Sequence, residues 1–336
     1  MQEPIYPDEF IIITGAAGFI GSGIVRHLNN LGRKNLLLID DFGTTEKWKN
    51  LLGKEFVDLL SKKELFAFLE KKKRRVGAIL HLGACSSTTE KDADYLMQNN
   101  YRYSVDLAKY AIREKVRFIY ASSAATYGGS EKDFNDREEA LLDLAPLNMY
   151  GFSKHLFDLW LKQENLLDRV VGLKYFNVFG PNEYHKGPMA SMVLKMAKKA
   201  ALGDPIELFK SNHVEKYADG EQKRDFIYVK DAVRFTCIFL ETALQQVHGI
   251  FNIGSGVATS WNTLANALFA ALDKPPQIKY IDMPQALHGQ YQNYTKASME
   301  KFFAATKPVS LHAPITSIES AVKDYVQNYI LPEARW

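Results

Sequence analysis

The stretch FIIITGAAGFIG, residues 10–21, decides the fold. Phe10-Ile11-Ile12-Ile13-Thr14 is a short continuous apolar run, the pattern of a strand buried on both faces of a parallel sheet. An amphipathic pattern follows from Ile20 to about Leu31, and Gly32 ends it. Glycine at 15 permits a tight turn, glycine at 18 lets backbone approach a pyrophosphate, and glycine at 21 lets helix pack on strand. The start of that helix adds unpaired N–H groups and the positive end of a dipole. Leu36-Leu37-Leu38-Ile39 reads as the next strand. It closes on Asp40, placed to accept from a ribose hydroxyl. The unit is therefore expected to bind a dinucleotide. Asp40 repels a 2′-phosphate and so favours NAD, while Lys47 can neutralise one, so NAD and NADP both stay open.

Working outward, Ala78-Ile79-Leu80, Arg117-Phe118-Ile119-Tyr120 and Val170-Val171-Gly172-Leu173 repeat the strand pattern. Helical stretches at Asp92–Glu114 and Ser153–Glu164 separate them. Strand and helix alternate, which specifies an α/β fold: a Rossmann doubly wound parallel sheet with helices on both faces. After Gly180 the composition turns to Pro, Gly, Lys and His, with one helix at about 189–202. A strand at 226–229, a helix at 231–244 and the run Gly249–Gly254 then return, followed by helices near 260–272 and 315–328. This predicts an NAD(P)-binding domain of residues 1–178 and about 226–256. A smaller, discontinuous α/β substrate domain would take 179–225 and about 257–336.

Three further segments fall at strand ends, where ligands bind in open α/β sheets. Leu82-Gly83-Ala84-Cys85-Ser86 has small residues along which a dinucleotide can lie; Cys85 reads as filler, since no His or Asn nearby would activate it. Ala121 to Gly128 brings Ser123 to a strand end, able to donate to a reacting oxygen. Phe176-Asn177-Val178 offers Asn177 as a substrate contact. In Tyr150-Gly151-Phe152-Ser153-Lys154 the Tyr and Lys share a helix face. A lysine there lowers the phenol pKa and bonds the nicotinamide ribose, so that Tyr150 can act as base and then as acid. Lys186, in His185-Lys186-Gly187, reads as a solvated loop lysine, an anion clamp or a second acid/base. Arg224 can pair bidentately with a diphosphate.

Composition sets the limits. In 336 residues, 42 Lys and Arg face 39 Asp and Glu, a net charge of +3 that predicts no nucleic-acid partner. The run Lys71-Lys72-Lys73-Arg74-Arg75 reads as a solvated helix end. Two cysteines make no disulfide framework, no apolar segment is long enough to span a membrane, and no signal segment is evident, so a cytoplasmic location is expected. The eight His residues lack ligand spacing, so no metal is expected.

Taken together, Gly15, Gly18, Gly21, Ser123, Tyr150 and Lys154 resemble the extended short-chain dehydrogenase/reductase family over nearly the whole chain. Within it, the runs His81–Glu90, Asn99–Tyr101, Tyr120–Gly129 and Phe176–Gly187 are most similar to the 6-epimerases of ADP-heptose, enzymes of lipopolysaccharide-core biosynthesis. The resemblance implies inversion of C6″ of ADP-D-glycero-D-manno-heptose through transient oxidation and re-reduction. It implies one tightly bound NADP per subunit, with NAD as the alternative, and a homopentamer. Phe19, Ile20, Asp40, Asp41, Lys47, Lys62, Leu82 to Ser86, Asn99, Lys154 and Val178 would contact the cofactor. Tyr150 and Lys186 would be the two acid/base residues. Asn177, Pro188, Lys195, Phe209, Lys210, Ser211, Asn212, Arg224 and Tyr291 would contact the ADP-sugar. The chain departs from the family pattern at Leu82, Pro188 and Lys195, and in a longer stretch between Phe209 and Arg224. Other readings are a 4-epimerase, a 4,6-dehydratase or a non-catalytic dinucleotide-binding protein. Ala124 and Ala125 stand where a dehydratase carries its acidic pair, and the presence of Ser123, Tyr150 and Lys154 argues against a non-catalytic protein.

Overall fold

The computed structural model describes residues 8–71, 75–130, 134–285, 291–309 and 314–336. The strands are β1 (Phe10–Thr14), β2 (Leu36–Ile39), β3 (Asp58–Leu60), β4 (Val76–His81), β5 (Arg117–Ser123), β6 (Val171–Tyr175), β7 (Asn177–Phe179), β8 (Ile206–Phe209), β9 (Lys223–Tyr228), β10 (Gly249–Ile253), β11 (Ala258–Ser260) and β12 (Ile278–Ile281). The helices are α1 (Phe19–Asn30), α2 (Leu65–Lys71), α3 (Ala93–Leu96), α4 (Tyr103–Arg113), α5 (Met149–Gln163), α6 (Met192–Leu202), α7 (Val229–Cys237), α8 (Trp261–Ala271), α9 (Glu300–Thr306) and α10 (Ile318–Tyr325).

Seven strands form a parallel sheet in the order β10-β6-β5-β4-β1-β2-β3. The order reverses between β1 and β4, which opens a crevice at their C-terminal ends. Successive residues of β1 serve opposite faces: Ile11 and Ile13 enter one core cluster and Phe10 and Ile12 the other. That is why the run is apolar throughout. Gly32, at φ +76°, ends α1: its N–H bonds the Asn29 carbonyl, and the Arg33 N–H bonds that of Leu28.

Several boundaries differ from the sequence expectation. β3 was not anticipated; it is three residues long, and its side chains are half-buried or exposed. The helix expected at 92–114 is interrupted by a π turn at Met97–Arg102 between α3 and α4. α5 starts at Met149 rather than 153, because Asn148 caps it by accepting from the Gly151 N–H at 2.8 Å. A Cβ at Gly151 would lie 2.8 Å from the Ala125 carbonyl oxygen, so glycine lets this first turn press against the 3₁₀ turn that follows β5. β9 joins no strand of the large sheet; it pairs with β7 and β11, and β8 pairs with β12. In the basic run, Lys71 ends α2 exposed and Arg75 bonds Glu9 at 3.0 Å, while 72–74 lie outside the described residues.

Candidate active site

A cleft of about 940 Å³ opens over the C-terminal ends of β1, β4, β5 and β6. Its floor is the β1–α1 turn. Gly15 has φ +68°, and a Cβ there would lie 2.8 Å from the backbone of Gly83; one at Gly21 would lie 2.1 Å from the Gly15 carbonyl oxygen. Among the described residues no side chain caps the α1 N-terminus at Gly18, which leaves its first-turn N–H groups for an anion.

At one end of the cleft Asp40 uses both oxygens within the protein. One accepts from the Ala17 N–H at 2.8 Å, and the other meets the Lys47 ammonium at 2.6 Å. Asp40 lines the cleft with Lys47 folded back across the β2 loop onto it, and each carboxylate oxygen keeps a lone pair beyond the one it uses here. Asp41 accepts from Ser61 Oγ at 2.7 Å, and Lys62 donates to Asn99 Oδ1 at 2.6 Å. The π turn places Asn99 and Asn100 side by side. Asn100 is buried and takes both the N–H and the carbonyl of Cys85, which fixes the Leu82–Ser86 segment along the cleft. Gly83 donates to Thr14 Oγ1 at 3.0 Å.

Ser123, Tyr150 and Lys154 line the middle. Burial raises the Tyr150 phenol pKa, a hydrogen bond with Ser123 pulls it back, and negative charge on the Cys85 sulfur adds to the rise. The expected lowering by Lys154 is not what this geometry gives. The ammonium reaches back to β5 and donates to the Ala121 carbonyl at 2.9 Å, and burial holds its own pKa down to about 8.

Lys186 enters the same cleft from a 3₁₀ turn, Tyr184–Met189, with its ammonium 5.4 Å from the Phe19 ring centre. Burial lowers its pKa, Glu183 raises it, and Lys195 lowers it. Beside it His185 is held down to about 4 by burial, then by Lys186 and Lys47, so it is neutral near pH 7. Asn177 and Val178 of β7 complete this wall, and Asn177 donates to the Asp225 carbonyl at 3.0 Å.

The structure thus brings together every residue expected at the cofactor and every one expected in acid/base chemistry. The expected sugar contacts, Asn177 apart, lie outside this lining. Arg224 sits 4.9 Å from the Tyr291 ring centre, and Phe209 meets Tyr291 edge-on at 6.0 Å, so these three form one group. Lys195 donates to the Pro188 carbonyl at 2.6 Å. Lys210 pairs with Asp282 at 3.0 Å, and Ser211 donates from its N–H to Asp219. Asn212 Oδ1 is buried with no partner among the described residues. Sequence reading missed Tyr95, Tyr103, Met189, Met192 and Trp261, which also line the cleft. None belongs to a spaced motif; they arrive from the α3–α4 region, the 184–189 turn, the start of α6 and α8.

Residues 11–254 match the family described as NAD dependent epimerase/dehydratase. The chain is 46% identical over 321 residues to the ADP-L-glycero-D-manno-heptose-6-epimerase of Nitratidesulfovibrio vulgaris strain DP4, covering 95% of this chain and 97% of that one. It is 43% identical to the protein of the same name from Fusobacterium nucleatum, over 96% of this chain and 98% of the other. Among solved structures, the Helicobacter pylori ADP-L-glycero-D-manno-heptose-6-epimerase superposes with a TM-score of 0.79 at 28% identity, covering 96% of each chain. With the cleft geometry, these likenesses make the assignment direct: the chain belongs to the NAD dependent epimerase/dehydratase family.

Proposed function

We propose that the chain inverts C6″ of ADP-D-glycero-D-manno-heptose, giving the L-glycero epimer by oxidising that carbon and reducing it again. The observation that carries this reading is the pairing of Tyr150 and Lys186 in one cleft, on a chain 46% identical to a protein named for such a reaction. Inversion without net redox change requires a carbon that becomes planar and is re-entered from its other face. Two faces need two proton carriers.

The cleft residues fit a nicotinamide dinucleotide: the glycine turn leaves no side chain in the way, and the uncapped α1 terminus suits a pyrophosphate. Gly15, Gly18, Phe19, Ile20 and Gly21 would hold the pyrophosphate. Asp40, Asp41, Lys47 and Lys62 would hold the adenosine end, and Leu82 to Ser86, Asn99, Lys154 and Val178 the rest. Reversible hydride acceptance is the chemistry such a cofactor supplies there when bound. NADP is the form we assign, with Lys47 leaving Asp40 for the 2′-phosphate.

Tyr150 exchanges the proton of the sugar hydroxyl on one face, with Ser123 donating to the same oxygen. Lys186 serves the other face. Asn177, at the end of the cofactor domain, and the 179–225 and 257–336 segments form the sugar side: together with Asn177, Pro188, Lys195, Phe209 to Asn212, Arg224 and Tyr291 take the ADP-sugar, with Arg224 on the diphosphate. The same reading makes the protein a cytoplasmic homopentamer serving lipopolysaccharide-core synthesis.

The test is NMR of ADP-D-glycero-D-manno-heptose incubated with the enzyme in D₂O. Inversion at C6″ without deuterium at that carbon is expected. An unchanged heptose, together with turnover of a UDP-hexose, would overturn the assignment.

A further inference from the structure

Glu183 is wholly buried, three residues before Lys186. Its carboxylate closes the loop that carries that lysine. One oxygen accepts from the Gly180 N–H at 3.3 Å, Ser191 Oγ at 2.7 Å and the Tyr325 hydroxyl at 3.1 Å; the other accepts from the Ser191 N–H at 2.5 Å. The loop therefore leaves β7 at Gly180 and enters α6 at Ser191 with both ends on one side chain. Asn182, at φ +78°, shapes the bend between them and is held by Ser22 and by the backbone of Trp336.

All four of these donors are neutral. They favour the ionised carboxylate, but a buried negative charge also calls for a positive one. Burial raises the Glu183 pKa, the Ser191 and Gly180 hydrogen bonds pull it back, and the nearby positive charge of Lys186 adds to that lowering. Lys186 in turn faces the Phe19 ring from α1 and Lys195 from α6, beside neutral His185, which is itself approached by Lys47 and Asp40.

We propose that Glu183 is the positioning residue of Lys186, fixing the loop that carries it into the cleft and placing a negative charge within that same loop. This rests on the reading of Lys186 as the second acid/base. Two consequences follow from the arrangement. Removing the charge makes Lys186 a weaker base, because Lys195 and burial are then opposed by less. Removing only a neutral donor, as in Tyr325→Phe, loosens the loop but keeps the charge.

The experiment measures two quantities on cofactor-loaded protein across pH: the rate of heptose inversion, and the rate at which Lys186 is acylated by a small anhydride, read by mass spectrometry. In Glu183→Gln the Lys186 acylation midpoint, and the limb of the rate profile that Lys186→Met abolishes, should move to lower pH by about one unit. Glu183→Asp, which withdraws the charge by one methylene and is the variant to rely on if the Gln protein does not fold, should move both the same way by less. Tyr325→Phe should leave both in place while lowering the rate. Unmoved acylation midpoints in the Gln and Asp variants would overturn the proposal, reducing Glu183 to a structural staple. Full turnover of Lys186→Met would instead overturn the role of Lys186, and the acylation midpoints would still decide whether Glu183 controls its charge.

Discussion

Lys174 and Asp158 meet at 2.7 Å with 1% and 0% of their side chains exposed. Asp158 also accepts from the Tyr120 hydroxyl at 2.9 Å and Ser122 Oγ at 2.8 Å. Lys174 donates to Thr126 Oγ1 at 2.7 Å, and Thr126 donates to the Ser123 carbonyl at 2.8 Å. The pair thus ties β5, β6 and α5 together directly behind Ser123 and one helical turn beyond Lys154. Breaking a buried ion pair by removing one partner costs about 3–5 kcal/mol, because the other charge is left uncompensated. Lys174→Met should therefore lose about 3 kcal/mol in urea unfolding. Lys174→Met/Asp158→Leu should recover part of it, since the pair couples. A single variant unfolding at the wild-type midpoint would contradict this account.

Tyr150→Phe and Lys186→Met should each lower kcat by about 10²–10⁴-fold, the usual contribution of a positioned proton carrier. Both should keep the nicotinamide absorbance, since neither is among the residues assigned to the cofactor. The double variant should fall little below the worse single one, because inversion fails once either face lacks its carrier. Near-normal turnover in one of the single variants removes that residue from the mechanism.

Lys47 decides cofactor choice if it leaves Asp40 for a 2′-phosphate. A hydrogen bond to a charged group contributes about 1.5–3 kcal/mol, roughly tenfold or more in affinity. Lys47→Ala should weaken NADP binding by about that factor and leave NAD within about twofold, read by calorimetric titration of cofactor-free protein. Equal losses for the two cofactors would place Lys47 on a part of the dinucleotide that both share.

How far the sequence disclosed this site depends on distance along the chain. The glycine turn, Asp40, Ser123 and the Tyr150/Lys154 pair were legible because each occupies a fixed place relative to one strand or helix. The expected start of α5 was late by four residues, since the signal there was apolar periodicity and the true start is set by the Asn148 cap. The Asp40–Lys47 pairing and the turn of Lys154 toward Ala121 depend on side-chain torsions, which no spacing encodes. Glu183 and Asp158 passed unnoticed for a related reason. Their partners lie on other elements, as with Tyr325 and Tyr120, and only the folded chain brings them together.

Lys154 is 4% exposed, and burial lowers its pKa from 10.5 to about 8 against the opposing pull of Asp158. Between those two values the folded protein binds fewer protons at this site than the unfolded chain does, so the site makes stability rise with pH across the window. Below about 8 the lysine is charged in both states and its contribution is flat and unfavourable. Lys154→Met lacks the group. Urea unfolding of wild type and variant should therefore show the wild type gaining relative to Lys154→Met from pH 8 to pH 10, within the window that the shift from 10.5 to about 8 defines. A difference constant over that range means the ammonium keeps its proton in the folded state, held by the Ala121 carbonyl and Asp158 more strongly than burial disfavours it.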